Sequence, residues 1–326
     1  MNPRRAAVLM GVAGALVRTA TALAHGETMP APELPGILLA WRFDLLPLGG
    51  VAVATVAYLW AVGRVAERHR SNPHPRWRTV AFLAGMVTIV VALCSPIEAY
   101  EGQLFSVHMV QHMLLTLVAA PLILLGAPVT LTLRVASPGL RRGLLTILHS
   151  RAVALLTFPL LTWLLFAAVN WGWHFSTLYD QALENEPLHY FQHATFLIAA
   201  LLFWWPVVGA DPGRWRLPYP VRLFYLFLAM PQNSFLGVAL MSAPAVLFPH
   251  YLTTLRPWGP SPIADQNLGG ILMWVFGDVV FLIGMAAVVA GWVRHEDRRT
   301  ARLDARLDAE AAAAAARERS ATAAGE

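Results

Sequence analysis

Apolar residues in this chain are gathered into long unbroken runs, with polar and charged residues confined to the stretches between them. Read over a window of about 19 residues, seven runs stand out, near 44–63, 78–97, 106–133, 152–173, 187–208, 221–248 and 267–293. Each is long enough to cross a hydrocarbon core of about 30 Å as a helix. None alternates with the period of two that a barrel strand needs, and lipid admits only helices or closed barrels as spanning elements. The pattern predicts an all-α, polytopic membrane protein with seven transmembrane helices in the bilayer.

A further apolar stretch, Ala6 to Val17, follows Arg4 and Arg5 and leads to Ala22-Leu23-Ala24. These are the parts of a cleaved signal peptide, expected to occupy residues 1–24. An uncleaved first anchor is the alternative reading, and Arg18 interrupts both. Cleavage after Ala24 would begin the mature chain at His25, whose amine and imidazole together could chelate a transition metal. The remaining divisions are an extracytoplasmic arm at 25–43, the bundle at 44–293 and a charged, alanine-rich tail at 294–326.

Arginines orient the bundle. Arg64, Arg68, Arg70, Arg76 and Arg78 lie in one inter-span segment, Arg134, Arg141, Arg142 and Arg151 in another, and Arg214, Arg216 and Arg222 in a third. By the positive-inside rule these segments face the cytoplasm. The alternate segments carry Glu98, Glu101, Asp180, Glu184, Glu186 and Asp265 and so lie outside. The expected arrangement is a bacterial plasma-membrane protein with its mature amino terminus outside and its carboxyl terminus in the cytoplasm.

Composition narrows the chemistry. Residues are 57% hydrophobic and 13% charged, against about a quarter charged in soluble domains, which excludes a pair of soluble domains. Every one of the 24 basic residues is arginine. The absence of lysine removes Schiff-base chemistry and a P-loop. The single cysteine, Cys94, removes disulfides within the chain, iron–sulfur sites and cysteine-rich zinc modules. A pI near 9.9 does not indicate nucleic acid, because the arginines are spread between spans.

Of eleven histidines, His69, His74, His149 and His295 sit beside the cytoplasmic arginines and read as solvated loop residues. His108, His112, His174, His189, His193 and His250 all fall at outer helix ends. Two pairs share one spacing: His108 and His112 open the third span, and His189 and His193 open the fifth. Residues four apart project from one helix face, about 5–6 Å from each other, and both imidazoles of such a pair can reach one ion. A lone interfacial histidine is ordinarily an anchor. Two pairs at one depth, in a bilayer where buried polar groups need partners, point to metal. Soft ligands at similar depth, Met109, Met113 and Cys94, favour copper, although ordinary packing accounts for methionines equally well. No glutamate lies within either pair, so the HExxH hydrolase arrangement is absent. Asp265 reads as a cap on the last span or as a carboxylate behind a histidine. Asp278 is the one acid near mid-membrane, placed to pair with Gln232 and Asn233 as a proton path or as structural glue.

The strings HMVQHMLLTLVAAPLILLGAP, NWGWHFSTLYDQAL, LHYFQHATFLIAALLFWWPV and DQNLGGILMW, in this order between about Trp41 and Val293, resemble the multi-span CtaG family of bacterial cytochrome c oxidase assembly factors. The resemblance implies a seven-helix plasma-membrane protein needed to form active oxidase, with a part in copper supply and with oxidase subunits and a periplasmic copper donor as partners. Carried onto this sequence, it makes His108, His112, His189 and His193 the metal group, with His174 and Asp265 as additions. No nucleophile with an activated base is implied, so the expected role is not enzymatic. The rival readings are a b-type haem protein with one axial histidine from each of two helices, a copper or proton transporter routed past Asp278, Gln232 and Asn233, and a purely structural scaffold.

Overall fold

The computed structural model describes residues 30–254 and 256–323; the expected signal peptide and His25 lie outside them. Among the described residues every regular element is helical. Six helices are long and apolar enough to cross a membrane: Leu45–Arg68, Arg76–Tyr100, Phe105–Val135, Glu186–Val208, Tyr219–Met241 and Pro262–Ala313. Large apolar side chains cover the outside, with Leu45 exposed by 88%, Val53 by 71% and Phe235 by 66%. That surface suits lipid, not water.

Local chemistry sets the breaks. α1 (Leu45–Arg68) begins where the Asp44 carboxylate accepts from the Leu46 amide at 2.9 Å. α2 (Arg76–Cys94) stops at Ser95-Pro96, where the Ser95 hydroxyl accepts from the Ile97 amide at 3.2 Å and Pro96 opens a short turn of helix, Pro96–Tyr100. Proline at a first helical position has no amide to lose. The same residue type divides the fourth expected run. Phe158 is extended, as residues before proline tend to be, so the run becomes Arg151–Leu156 and α4 (Pro159–His174). With 16 residues, α4 is about 24 Å long, shorter than the six long helices. Six of the seven expected spans are therefore matched by helices long and apolar enough to cross a membrane, and the fourth is divided at Pro159.

α3 (Phe105–Met113) lies at the centre, with seven of its nine residues buried. It continues through a π-helical turn, Leu114–Ala119, into Ala120–Leu125. α5 (Glu186–Val208) and α6 (Tyr219–Met241) each run through an internal proline, Pro206 and Pro231. α7 (Pro262–Ala323) begins five residues before the expected start at 267 and passes without a break through the charged tail.

α6 and α7 pack backbone to backbone. A Cβ on Gly270 would fall 2.6 Å from the Gly237 carbonyl oxygen, and one on Gly237 would fall 2.7 Å from the Gly270 carbonyl oxygen. Small residues allow this approach in membranes. Along the same seam the Asn233 amide donates to the Met273 carbonyl at 2.9 Å, above Gly277. Asp278 accordingly does not pair with Gln232 or Asn233 as expected. Its carboxylate accepts from the Ser234 hydroxyl at 2.9 and 3.2 Å, because Asn233 is drawn across the seam to backbone.

Asp265 also departs from expectation. Neither a cap on its own helix nor in contact with a histidine, it accepts from the Phe105 amide at 2.7 Å and the Ser106 hydroxyl at 2.5 Å, capping α3 from α7. One orphan amide and one hydroxyl at the start of the central helix depend on one carboxylate. Asp265→Ala should lower stability by about 1–2 kcal/mol, read as an earlier thermal transition of the detergent-solubilised protein, with Asp265→Asn intermediate.

Candidate metal centre

α3 and α5 bring their paired histidines together at one end of the bundle. Ring centroids lie 4.3 Å apart for His108 and His112, 4.2 Å for His189 and His193, 5.3 Å for His108 and His189, and 5.6 Å for His112 and His193. One nitrogen each from His108, His189 and His193 lie within 4.8 Å of one another. His108 Nε2 and His112 Nε2 are 2.8 Å apart. All four histidines are buried.

A carboxylate and an amide hold the rings. Glu101, just beyond the short helix Pro96–Tyr100, places Oε2 2.8 Å from His108 Nδ1 and 3.8 Å from His189 Nε2. It is 2% exposed. A carboxylate on Nδ1 keeps the proton there and turns Nε2 toward the other rings, the device that orients metal-binding histidines. Gln111 does the same for His193. Its amide nitrogen donates to the Ala92 carbonyl and to Glu98, so its oxygen is left to accept from His193 Nε2 at 3.1 Å. Nδ1 of His193 then carries the free lone pair. His112 Nδ1 is buried without a hydrogen-bond partner, as are both amide atoms of Gln192. Polar atoms are rarely left in that condition unless something else satisfies them.

Two outer segments roof the cluster. Tyr179, from the helix Leu178–Glu184, lies with its ring 5.1 Å from that of His108. Tyr251, from the turn His250–Thr253, donates to the Glu101 carbonyl at 3.1 Å and lies 3.5 Å from His108 Nδ1. Burial pushes both phenols well above their ordinary range, so they remain neutral. The Asp180 carboxylate joins the two segments by accepting from the His250 amide at 3.1 Å.

The family of cytochrome c oxidase caa3 assembly factors matches residues 56–295, which include every residue of this cluster. The chain belongs to that family. Uncharacterized proteins of Mycobacterium bovis and Mycobacterium tuberculosis are each 36% identical to it over 292 residues, and one of Mycobacterium leprae is 33% identical over 290. These alignments cover 86–87% of this chain but 44% of each relative, so the chain spans less than half the length of the curated relatives it matches. No solved structure matches it.

Within this caa3 assembly-factor family member, the other expected ligands stand apart from the four rings. His174 is 6.4 Å, ring to ring, from His112, but its Nδ1 donates to the Asn170 carbonyl at 2.7 Å and its Nε2 faces the Met109 sulfur at 3.4 Å. Met113 packs in the apolar core, Cys94 is buried at the end of α2, and Asp265 caps α3. His250 is held by the Gly102 carbonyl at 2.9 Å. Reading the sequence missed Glu98, Glu101 and Gln111 as members of the cluster. Two signals were present. The paired strings are HMVQH and HYFQH, so each deeper histidine is preceded by glutamine. Glu98 and Glu101 are three apart in a helical turn that opens at Ser95-Pro96, which places them on one face.

Proposed function

We propose that this chain receives copper at the histidine end of the bundle and passes it to a caa3-type cytochrome c oxidase during assembly. The observation that carries the reading is the convergence of His108, His189 and His193 from two helices, with Glu101 behind His108. Copper is the cargo, not a resident group. Imidazole donors bind Cu(II) more strongly than other first-row divalent ions, and the family is one of oxidase assembly. The donors lie near the starts of their helices, His108 and His189 about 5 Å and His193 about 11 Å below them, so the site is close to one end of the bundle. Glu101 and Gln111 keep the His108 and His193 nitrogens aimed. Seven crossings, with the histidine end outside and the arginine-rich end in the cytoplasm, put the cluster where an external donor and an oxidase subunit can both reach it.

Rings in mutual contact leave no slot for a porphyrin, which disfavours the haem reading. Asp278, bonded to Ser234 at the α6–α7 seam, lends no support to a transport path. The test is made in cells whose own copy is replaced by His108→Ala/His193→Ala. Oxidase subunits should still insert but lack copper and activity, while the variant accumulates in the membrane at the wild-type level. Fully copper-loaded oxidase in those cells would overturn the proposal.

A further inference from the structure

The cluster contains a second set of donors that the four-histidine reading does not use. Glu98, Glu101 and His189 also bring one ligand atom each within 4.8 Å of one another. His189 belongs to both sets. Of the residues involved, Glu98 is the least enclosed, intermediate in exposure, whereas Glu101, His108, His189 and His193 are buried. Gln192, 0% exposed and on the same helical face as His189, has neither amide atom bonded. An unsatisfied buried amide is costly to leave unpaired and marks a place where a ligand, or a water carried on one, supplies the missing partner.

We infer that the site offers one divalent ion two alternative positions, a mouth position at Glu98, Glu101 and His189 and an inner position at His108, His189 and His193, between which the ion moves while bonded to His189. The inference rests on the metal-handling reading above and extends it to the route of loading. Oxygen donors at the mouth suit a hydrated divalent ion arriving from water, and the imidazoles favour copper once it has shed that water. In the transfer, metal–oxygen bonds to Glu98 and Glu101 break as metal–nitrogen bonds to His108 Nε2 and His193 Nδ1 form. The His189 bond persists and no electron moves. No proton leaves either, because His108 keeps its proton on Nδ1 toward Glu101 and His193 keeps its proton on Nε2 toward Gln111. The hydrogen bond between His108 Nε2 and His112 Nε2 is the interaction given up. His189 belongs to both donor sets, so in this route the two positions exchange a single occupant.

The experiment loads the full-length protein in nanodiscs with one equivalent of Cu(II) and follows the electron paramagnetic resonance spectrum in time. Wild-type protein should end with hyperfine coupling from three nitrogens. Glu98→Gln, which preserves an acceptor for Gln111, should reach the same final spectrum about tenfold more slowly, the lower end of what losing one supporting group costs a metal site. Glu98→Asp should restore the rate. His193→Ala should retain one ion in an oxygen-rich environment, and Glu98→Gln/His193→Ala should lose it. Loading of Glu98→Gln at the wild-type rate, or a metal-free His193→Ala with a native circular dichroism spectrum, would overturn the two-position route while leaving the imidazole site standing. Identical binding by wild type and by a variant lacking all four paired histidines would instead remove the metal reading itself.

Discussion

Replacing His108 with alanine is expected to weaken Cu(II) binding more than about 100-fold. Removing a group that merely supports a ligand costs a metal site about 10–100-fold, and in the proposed site His108 is itself a donor. It also connects the cluster: its Nδ1 meets Glu101 at 2.8 Å, its Nε2 meets His112 at 2.8 Å, and its ring lies 5.3 Å from that of His189. Alanine would remove one of three converging nitrogens and release Glu101 from the partner that fixes it. The comparison variant is His250→Ala. His250 lies at the same end of the bundle but is occupied by the Gly102 carbonyl, so its loss should leave affinity nearly unchanged. Competition against a chelator of known affinity reads both. A His108→Ala protein that competes as well as wild type would show that the convergence of rings is packing and not ligation.

The second large effect is expected at the α6–α7 seam. Gly270→Val should destabilise the bundle by about 3 kcal/mol, the upper end of ordinary overpacking, because what meets the new side chain is backbone. A Cβ there falls 2.6 Å from the Gly237 oxygen and 2.7 Å from the Met241 amide nitrogen, and neither can rotate away. α6 and α7 would have to separate. α7 carries Asp265, the cap of α3, and Gln266, whose side-chain oxygen accepts from the Leu247 amide at 2.7 Å, so copper binding should weaken along with the fold. Gly139→Val tests specificity, since a Cβ there meets nothing within 4 Å. Thermal unfolding in detergent distinguishes the two, and equal transitions would refute the close-packing argument.

The helices were legible because lipid imposes one rule on every residue of a span, and that rule can be read locally. Pro159 was visible too, but the run around it is apolar on both sides, and hydropathy alone does not register a backbone that loses one hydrogen bond. The histidine pairs were legible for a similar reason: a spacing of four on a helix is a statement about one face. Glu98 and Glu101 were read as loop acids because the apolar run ends near them, and nothing local reveals that the chain folds back over α3. Asp265 illustrates the same limit. Its partners, Phe105 and Ser106, are about 160 positions away in the chain, and a carboxylate before a helix looks the same in sequence whether it caps that helix or another. Asp278 and Ser234, 44 apart, meet only because Gly237, Gly270 and Gly277 set how closely two helices approach.

The π-helical turn at Leu114–Ala119 has a bearing on the family's descent. It accommodates one residue more than an α-helical turn would, and one residue on an α-helix is worth about 100° of rotation. The stretch before it is thereby aimed independently of the stretch after it: His108 and His112 face α5, while Leu117, Ala120 and Leu124 stay in the apolar core. The number of residues between Met113 and Ala120 is therefore a constraint separate from their identity. A gene one codon shorter at that point would encode every histidine yet turn the first pair about 100° away from α5.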